Sequence, residues 1–304
     1  MNNLIPLMRR EWLQHRFAWT LLMLVPLAVA VLPMAFGTVE FDSEMAQRTP
    51  PELALMVATV STLVSAAVIF LLVWVTSIFI TTSLPRRDHA DRSVEFWLSL
   101  PTGHAESYAA PLLVHLVLAP AAALLVGLLG GYAISLLLVT RIVGFGDWLA
   151  LPWNSLLPGT LAVVARVIAG LPLATLWLSP LILLAMLCNA WFRRLGFPVT
   201  VVALSLTSVL LKVVFGQPLL ADSLGALGRN AGLALAGASG QGITINDGMS
   251  PMQALEGMAS WAWHDFLAAL QATASPLFLA ALGVSAGLFM MLVLWRQRGA
   301  GAAG

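Results

Sequence analysis

The sequence predicts an all-α integral membrane protein with six transmembrane helices, and three observations carry that prediction. Of the 304 residues, 60% are hydrophobic and only 10% are charged, outside the composition of a soluble domain of this length. The charges are confined to the stretches outside six uncharged runs, 17–39, 53–85, 107–140, 167–192, 195–211 and 271–295. A hydrocarbon core about 30 Å thick needs roughly 20 apolar residues per helix, and continuous rather than alternating runs select helices over barrel strands. Arginine, finally, gathers at alternate breaks.

That last bias sets the orientation. With the N-terminus inside, Arg9, Arg10, Arg16, Arg86, Arg87, Arg92, Arg193, Arg194, Arg296 and Arg298 all fall on the cytoplasmic side. Arg48, Arg141 and Arg229 fall on the other, and Arg166 and Lys212 lie just inside outer span ends, where they would snorkel. Both termini are therefore expected in the cytoplasm, as an even number of spans requires.

Taken in order, residues 1–16 form a short amphipathic segment. Leu4, Ile5, Met8 and Trp12 share one helical face, with Arg10 and Gln14 opposite, the pattern of a helix lying in the membrane interface. An ordinary basic leader to the first span is the other reading. Several runs exceed what a perpendicular helix needs, so tilt, extension beyond the lipid, or breaks at Pro111, Pro120, Pro172 and Pro180 are expected. In the second span Thr76, Ser77, Thr81 and Thr82 are placed to bond across helices, and Gly127 and Gly131 in the third form a G-x-x-x-G that lets another helix approach closely. Trp148, Trp153, Trp261 and Trp263 suit an outer interfacial belt. Segment 216–271 is the largest outside the membrane. Its turn-rich middle precedes "SPMQALEGMASWAWHDFLAALQ", a helix with Ser250 as N-cap and Pro251 at its first position. The whole chain reads as one membrane domain without internal repeats.

Several chemistries are excluded or left thin. The single Cys188 rules out an intrachain disulfide, and no basic stripe supports nucleic-acid binding. The only lysine, Lys212, follows "SVLL" rather than the glycine-rich lead of a P-loop, so the chain cannot bind ATP by that device. Every Asp and Glu lies outside the six runs, which weighs against ion-coupled transport. H-E-x-x-H does not occur, and the one G-x-S-x-G, Gly283 to Gly287, lies inside the sixth uncharged run rather than at a strand-to-helix turn, so neither a nucleophile elbow nor a metal site is expected. His115 is the one deeply placed histidine, either functional or held by a single hydrogen bond to a neighbouring helix.

The stretch "DRSVEFWLSLPTGHAESYAAPLL", beginning at Asp91, interrupts the apolar runs on the arginine-rich side. Asp91 can cap a helix with Glu95 in its first turn, and Pro101 ends it. Val94, Trp97 and Leu98 take one side of that helix; Phe96 and Leu100 take another. Two apolar faces fit either an interfacial anchor or a helix resting on its own protein with one face left for a partner.

With "LIPLMRREWLQHR" ahead of the first span and "EFWLSLP" after a long second one, the sequence resembles the type 2 ATP-binding-cassette permeases, mostly bacterial exporters. The resemblance spans the whole six-helix layout and implies a connecting helix at 1–16, a coupling helix at 91–101 and short extracytoplasmic helices at 216–271. It implies an ABC ATPase as a separate partner that binds ATP and Mg, with no cofactor bound by this chain. It further implies a second permease copy, a homodimer in the simplest case, in a bacterial inner membrane. Contact with the ATPase would fall on Glu95, Phe96, Trp97 and Leu98, with Arg92, Arg9, Arg10 and Glu11 as further candidates. The expected function is export of a lipid-like, amphipathic or peptide substrate. A secondary transporter or channel using His115, Arg166 or Lys212, and an intramembrane enzyme centred on His115, are the alternatives.

Overall fold

A computed structural model describes residues 4–36, 49–90, 104–192, 195–240 and 250–301, in which every regular element is helical. In chain order these are α1 (Leu4–Phe36), α2 (Pro50–Ala90), α3 (His104–Leu113), a π-helical turn (Val114–Leu118), α4 (Ala119–Ile142) and α5 (Phe145–Leu149). There follow α6 (Trp153–Phe192), α7 (Gly196–Phe215), α8 (Leu219–Leu235), α9 (Pro251–Ala272) and α10 (Pro276–Gly301). Six stretches are long and apolar enough to cross a membrane: within α1, within α2, from α3 through α4, α6, α7 and within α10. The architecture is that of a multi-pass membrane protein.

Three of these are much longer than a bilayer requires. The second, third and fourth spans contain 36, 38 and 40 residues, which at 1.5 Å per residue makes each about 54–60 Å long. They form the spine. Gly127 and Gly131 bring α4 against α2 so closely that a Cβ at either would sit 2.7 Å from Cα of Ala66 or 2.6 Å from Cα of Thr62, the close approach expected of this pair of glycines.

The packing layers place the two ends of the bundle. Leu84, Tyr108, Leu187 and Leu292 share one cluster, and the Arg296 guanidinium lies 5.2 Å from the Tyr108 ring centroid. The end of α2, the start of α3, the end of α6 and the end of α10 therefore meet at one end, which we call the near end. The N-terminal part of α1 lies there too, through a contact with His115 described below. At the far end Ala54, Leu55, Val139, Leu151, Leu156 and Leu255 pack together. α9 joins this layer through Leu255, and α8 packs farther along α6, where Leu227, Ala231 and Ala234 meet Ala174 and Trp177; α9 begins with a capping box in which Ser250 and Gln253 serve each other's backbone N–H.

Four expectations are corrected. The N-terminal segment is not a helix of its own: α1 runs through it into the first span without interruption. Pro6 lies in its first turn, where a missing N–H costs nothing, and nothing between Arg9 and Phe17 breaks a helix. Its inward stripe is Glu11, His15, Trp19 and Met23, four residues apart, while Ile5 and Leu13 are exposed. The prolines do not break the spans either. Pro172 and Pro180 lie inside a continuous α6, and Pro111 and Pro120 flank the π-turn. Pro120 cannot supply the N–H that an α-helix would give the Leu116 carbonyl, and Thr175 Oγ1 donates to that oxygen from α6 at 3.5 Å.

The hydroxyls of Thr76, Thr81 and Thr82 turn back to carbonyls of their own helix, at Leu72, Ile78 and Phe79, instead of reaching across. The cross-helix bond at this level uses backbone, with Asn189 Nδ2 donating to the Thr82 carbonyl at 2.9 Å. Lastly, the fourth span starts at Trp153 rather than at 167, because Arg166 is neutralised inside the protein and does not mark a helix end.

Candidate functional site

Two buried polar clusters stand out in an otherwise apolar molecule, one near each end. At the near end, Glu11 lies one helical turn before His15 on the inward stripe of α1. Its side chain is almost wholly buried, and its Oε1 lies 2.9 Å from Nε2 of His115 and 3.5 Å from Nε2 of His15. His115, fully buried, comes from the π-turn, a local widening of the helix that often accompanies functional positions. The two imidazoles meet edge to face with centroids 5.1 Å apart, and the Trp19 ring lies 5.5 Å from that of His115. Ile69, Val73 and Ala119 complete an apolar surround. A carboxylate shared by two imidazoles can hold or pass a proton or bind a cation.

The hydrogen bond from His115 to a neighbouring helix is the simpler of the two roles foreseen for that residue, and its partner is Glu11. The candidate contact at Glu11 is therefore corrected: its carboxylate is engaged inside the bundle and does not face a partner. Arg9 and Arg10, by contrast, line an outward recess of α1 with Ile5, Pro6, Leu13 and Gln14. Arg92, Glu95, Phe96, Trp97 and Leu98 lie outside the described residues. The helices that flank them, α2 ending at Ala90 and α3 starting at His104, meet the near end.

Toward the far end, Arg166 of α6 reaches Asp265 of α9, and both side chains are fully buried. Nε donates to Asp265 Oδ2 at 2.9 Å, and Nη2 lies 2.8 Å from the same oxygen. Nη1 donates to the Ala234 carbonyl at 2.8 Å, one of the terminal carbonyls that α8 cannot bond internally. Gly170, one turn along α6, makes room for that approach, since a Cβ there would overlap the Ala234 oxygen. Asp265 also accepts from Gly237 N at 3.0 Å, Ser239 N at 2.8 Å and Ser239 Oγ at 2.9 Å. Burial alone would push the Asp265 carboxyl up. The Ser239 donors, the Arg166 charge and the Gly237 N–H outweigh it and hold the group below the usual aspartate range. The pair thus joins α6, α8, α9 and the 237–239 turn.

Sequence reasoning missed both pairings. A signal for one existed: Arg166 interrupts an apolar stretch that otherwise runs on in both directions, and an arginine so placed implies a buried acid. Comparison with protein-family models, curated proteins and solved structures finds no match for this chain.

Proposed function

We propose that this chain is the membrane subunit of an ATP-driven exporter, coupled at its near end to a separate ATPase. The observation that carries the reading is spatial. The helix ends bracketing residues 91–103, the arginine-bearing start of α1 and the end of α10 all gather at one end of the bundle. A partner docking there would reach α2, α3 and α1 together, and α2 and the third span are stiff elements of about 60 Å that carry a displacement to the far end. Two apolar clefts run along α2. One, of about 240 Å³, lies between it and α9 at Met56, Leu63 and Met258; the other, of about 300 Å³, lies against α4 and α6 at Phe70, Leu124 and Val164. Both suit a lipid-like or amphipathic substrate better than a charged one.

Affinity capture of the full chain from membranes is expected to bring down a P-loop ATPase. The double variant Phe96→Ala/Trp97→Ala is expected to keep the chain folded while uncoupling ATP hydrolysis from transport. Full coupling in that variant would sink the reading.

The buried Glu11–His115 pair favours a second reading, a proton-coupled transporter, since such a pair is a proton-loading group within the bundle. Substrate uptake by proteoliposomes containing only this chain, driven by a pH gradient without ATP, would select it over the first.

A further inference from the structure

We propose that Glu11, His15 and His115 form a Zn²⁺ site that clamps α1 to the third span. One ligand atom from each of the three groups lies within 4.8 Å of the others. A tetrahedral zinc with bonds of about 2.0–2.2 Å to nitrogen and oxygen needs ligand atoms roughly 3.3–3.5 Å apart. The two separations from Glu11 Oε1, 2.9 and 3.5 Å, bracket that spacing. The third separation is within 4.8 Å, so His15, whose side chain is 22% exposed, would turn toward His115 to complete the triangle, and its exposed side gives the ion a way in.

The donor set is one carboxylate and two imidazoles. It suits a borderline metal such as Zn²⁺ rather than Ca²⁺ or Mg²⁺, which take oxygen ligands in larger number. Two neutral imidazoles and a carboxylate bring one negative charge to the dication, and the apolar surround of Ile69, Val73 and Ala119 strengthens the interaction. The three side chains leave the fourth tetrahedral position to a water. The Trp19 indole N–H, buried beside His115 and without a hydrogen-bond partner among the described residues, cannot bind the ion, but it is a donor that such a water's oxygen would satisfy.

The geometry also says what the ion would do. α1 leaves Phe17, Leu21, Leu24, Val29 and Leu32 exposed, so few apolar contacts secure it to the bundle. A metal bridging α1 to the π-turn supplies that attachment. The sequence shows no metal motif because Glu11 and His15 sit four residues apart while His115 is 104 residues from Glu11.

The test titrates Co²⁺, then Zn²⁺, into the full chain, purified without a histidine tag, stripped with chelator and held in excess Mg²⁺. We expect one equivalent of Co²⁺ to give the visible bands of a tetrahedral nitrogen–oxygen site and to be displaced by Zn²⁺. Because loss of an outer ligand partner already costs about tenfold or more in affinity, His15→Ala and Glu11→Gln are expected to weaken binding by more than about tenfold. His15→Ala is the safer variant, since the residue is partly exposed, and the elution volume of each variant on size exclusion reports whether it has folded. Zn²⁺ should raise the unfolding temperature of the wild type and not of His15→Ala. His264→Ala and Cys188→Ser should bind as the wild type does. No stoichiometric Co²⁺ band in the wild type, unchanged binding in folded His15→Ala, or loss of binding in Cys188→Ser or His264→Ala instead would each overturn the proposal. The outcome does not depend on an ATPase partner, so the exporter reading stands or falls separately.

Discussion

The two buried clusters solve the same problem differently. Near the far end a full guanidinium and a full carboxylate face each other, and their remaining hydrogen-bonding positions are taken by the Ala234 carbonyl, the Ser239 N–H and hydroxyl and the Gly237 N–H. At the near end one carboxylate meets two imidazoles, whose ring nitrogens donate, accept or coordinate according to the proton they carry. The first arrangement is fixed: removing either Arg166 or Asp265 strands the charge of the other. The second is adjustable, because an imidazole nitrogen can donate, accept or coordinate a metal without leaving its place. A protein that couples an event at one end to a rearrangement at the other would be expected to hold one end rigidly and leave the other responsive. This contrast is open to direct attack by mutation.

The largest effect should come from Asp265→Ala, which leaves Arg166 buried with its charge uncompensated. Breaking a buried pair in this way costs about 3–5 kcal/mol, and thermal or denaturant unfolding in detergent measures it. The double variant Arg166→Met/Asp265→Leu should lose far less than the sum of the single losses, because it removes both charges. An additive double variant would mean that the pair is not coupled as its geometry indicates.

A smaller effect separates the clusters by pH. The Asp265 carboxyl is held below its usual range, so its contribution to stability is fully present above the unfolded-state value of about 3.9. It is lost as the pH falls through the lower folded-state value. Ser239→Ala removes one hydroxyl donor to that carboxylate. It should cost about 1.5 kcal/mol near neutrality and move the acid-unfolding midpoint upward. An unchanged midpoint would show that the backbone donors and Arg166 suffice without the hydroxyl.

How much of this was legible in the sequence follows from the range of each interaction. The spans were legible because hydrocarbon excludes charge and the runs record that exclusion directly. The Ser250 cap and the Gly127–Gly131 approach were legible because each depends on residues a few positions apart. The near- and far-end clusters were not, since their partners lie 104 and 99 residues apart and no periodicity links them. Arg166 misled for a physical reason: an arginine usually marks the end of a span, but here Asp265 lets it sit inside one. Glu11 misled in the same way, since an acidic residue on a basic N-terminal helix reads as solvated until His115 is placed opposite it. Prolines in the third and fourth spans read as breaks, yet neighbouring helices satisfy or tolerate the lost bonds.

The smallest expected effect is at the near end and sharpens the comparison most. Glu11→Gln keeps the shape of the side chain and one carbonyl oxygen able to accept from His115 Nε2, so in metal-free protein only the charge is removed. With both imidazoles neutral, no ion pair is broken and the loss should be below about 1 kcal/mol. A protonated His115 would give a very different answer, because the variant would strand a buried imidazolium and cost about as much as Asp265→Ala. Denaturant unfolding of the two variants side by side reads the difference. A small loss for Glu11→Gln against a large one for Asp265→Ala is what a responsive near end and a locked far end demand, whereas equal losses would make both clusters structural.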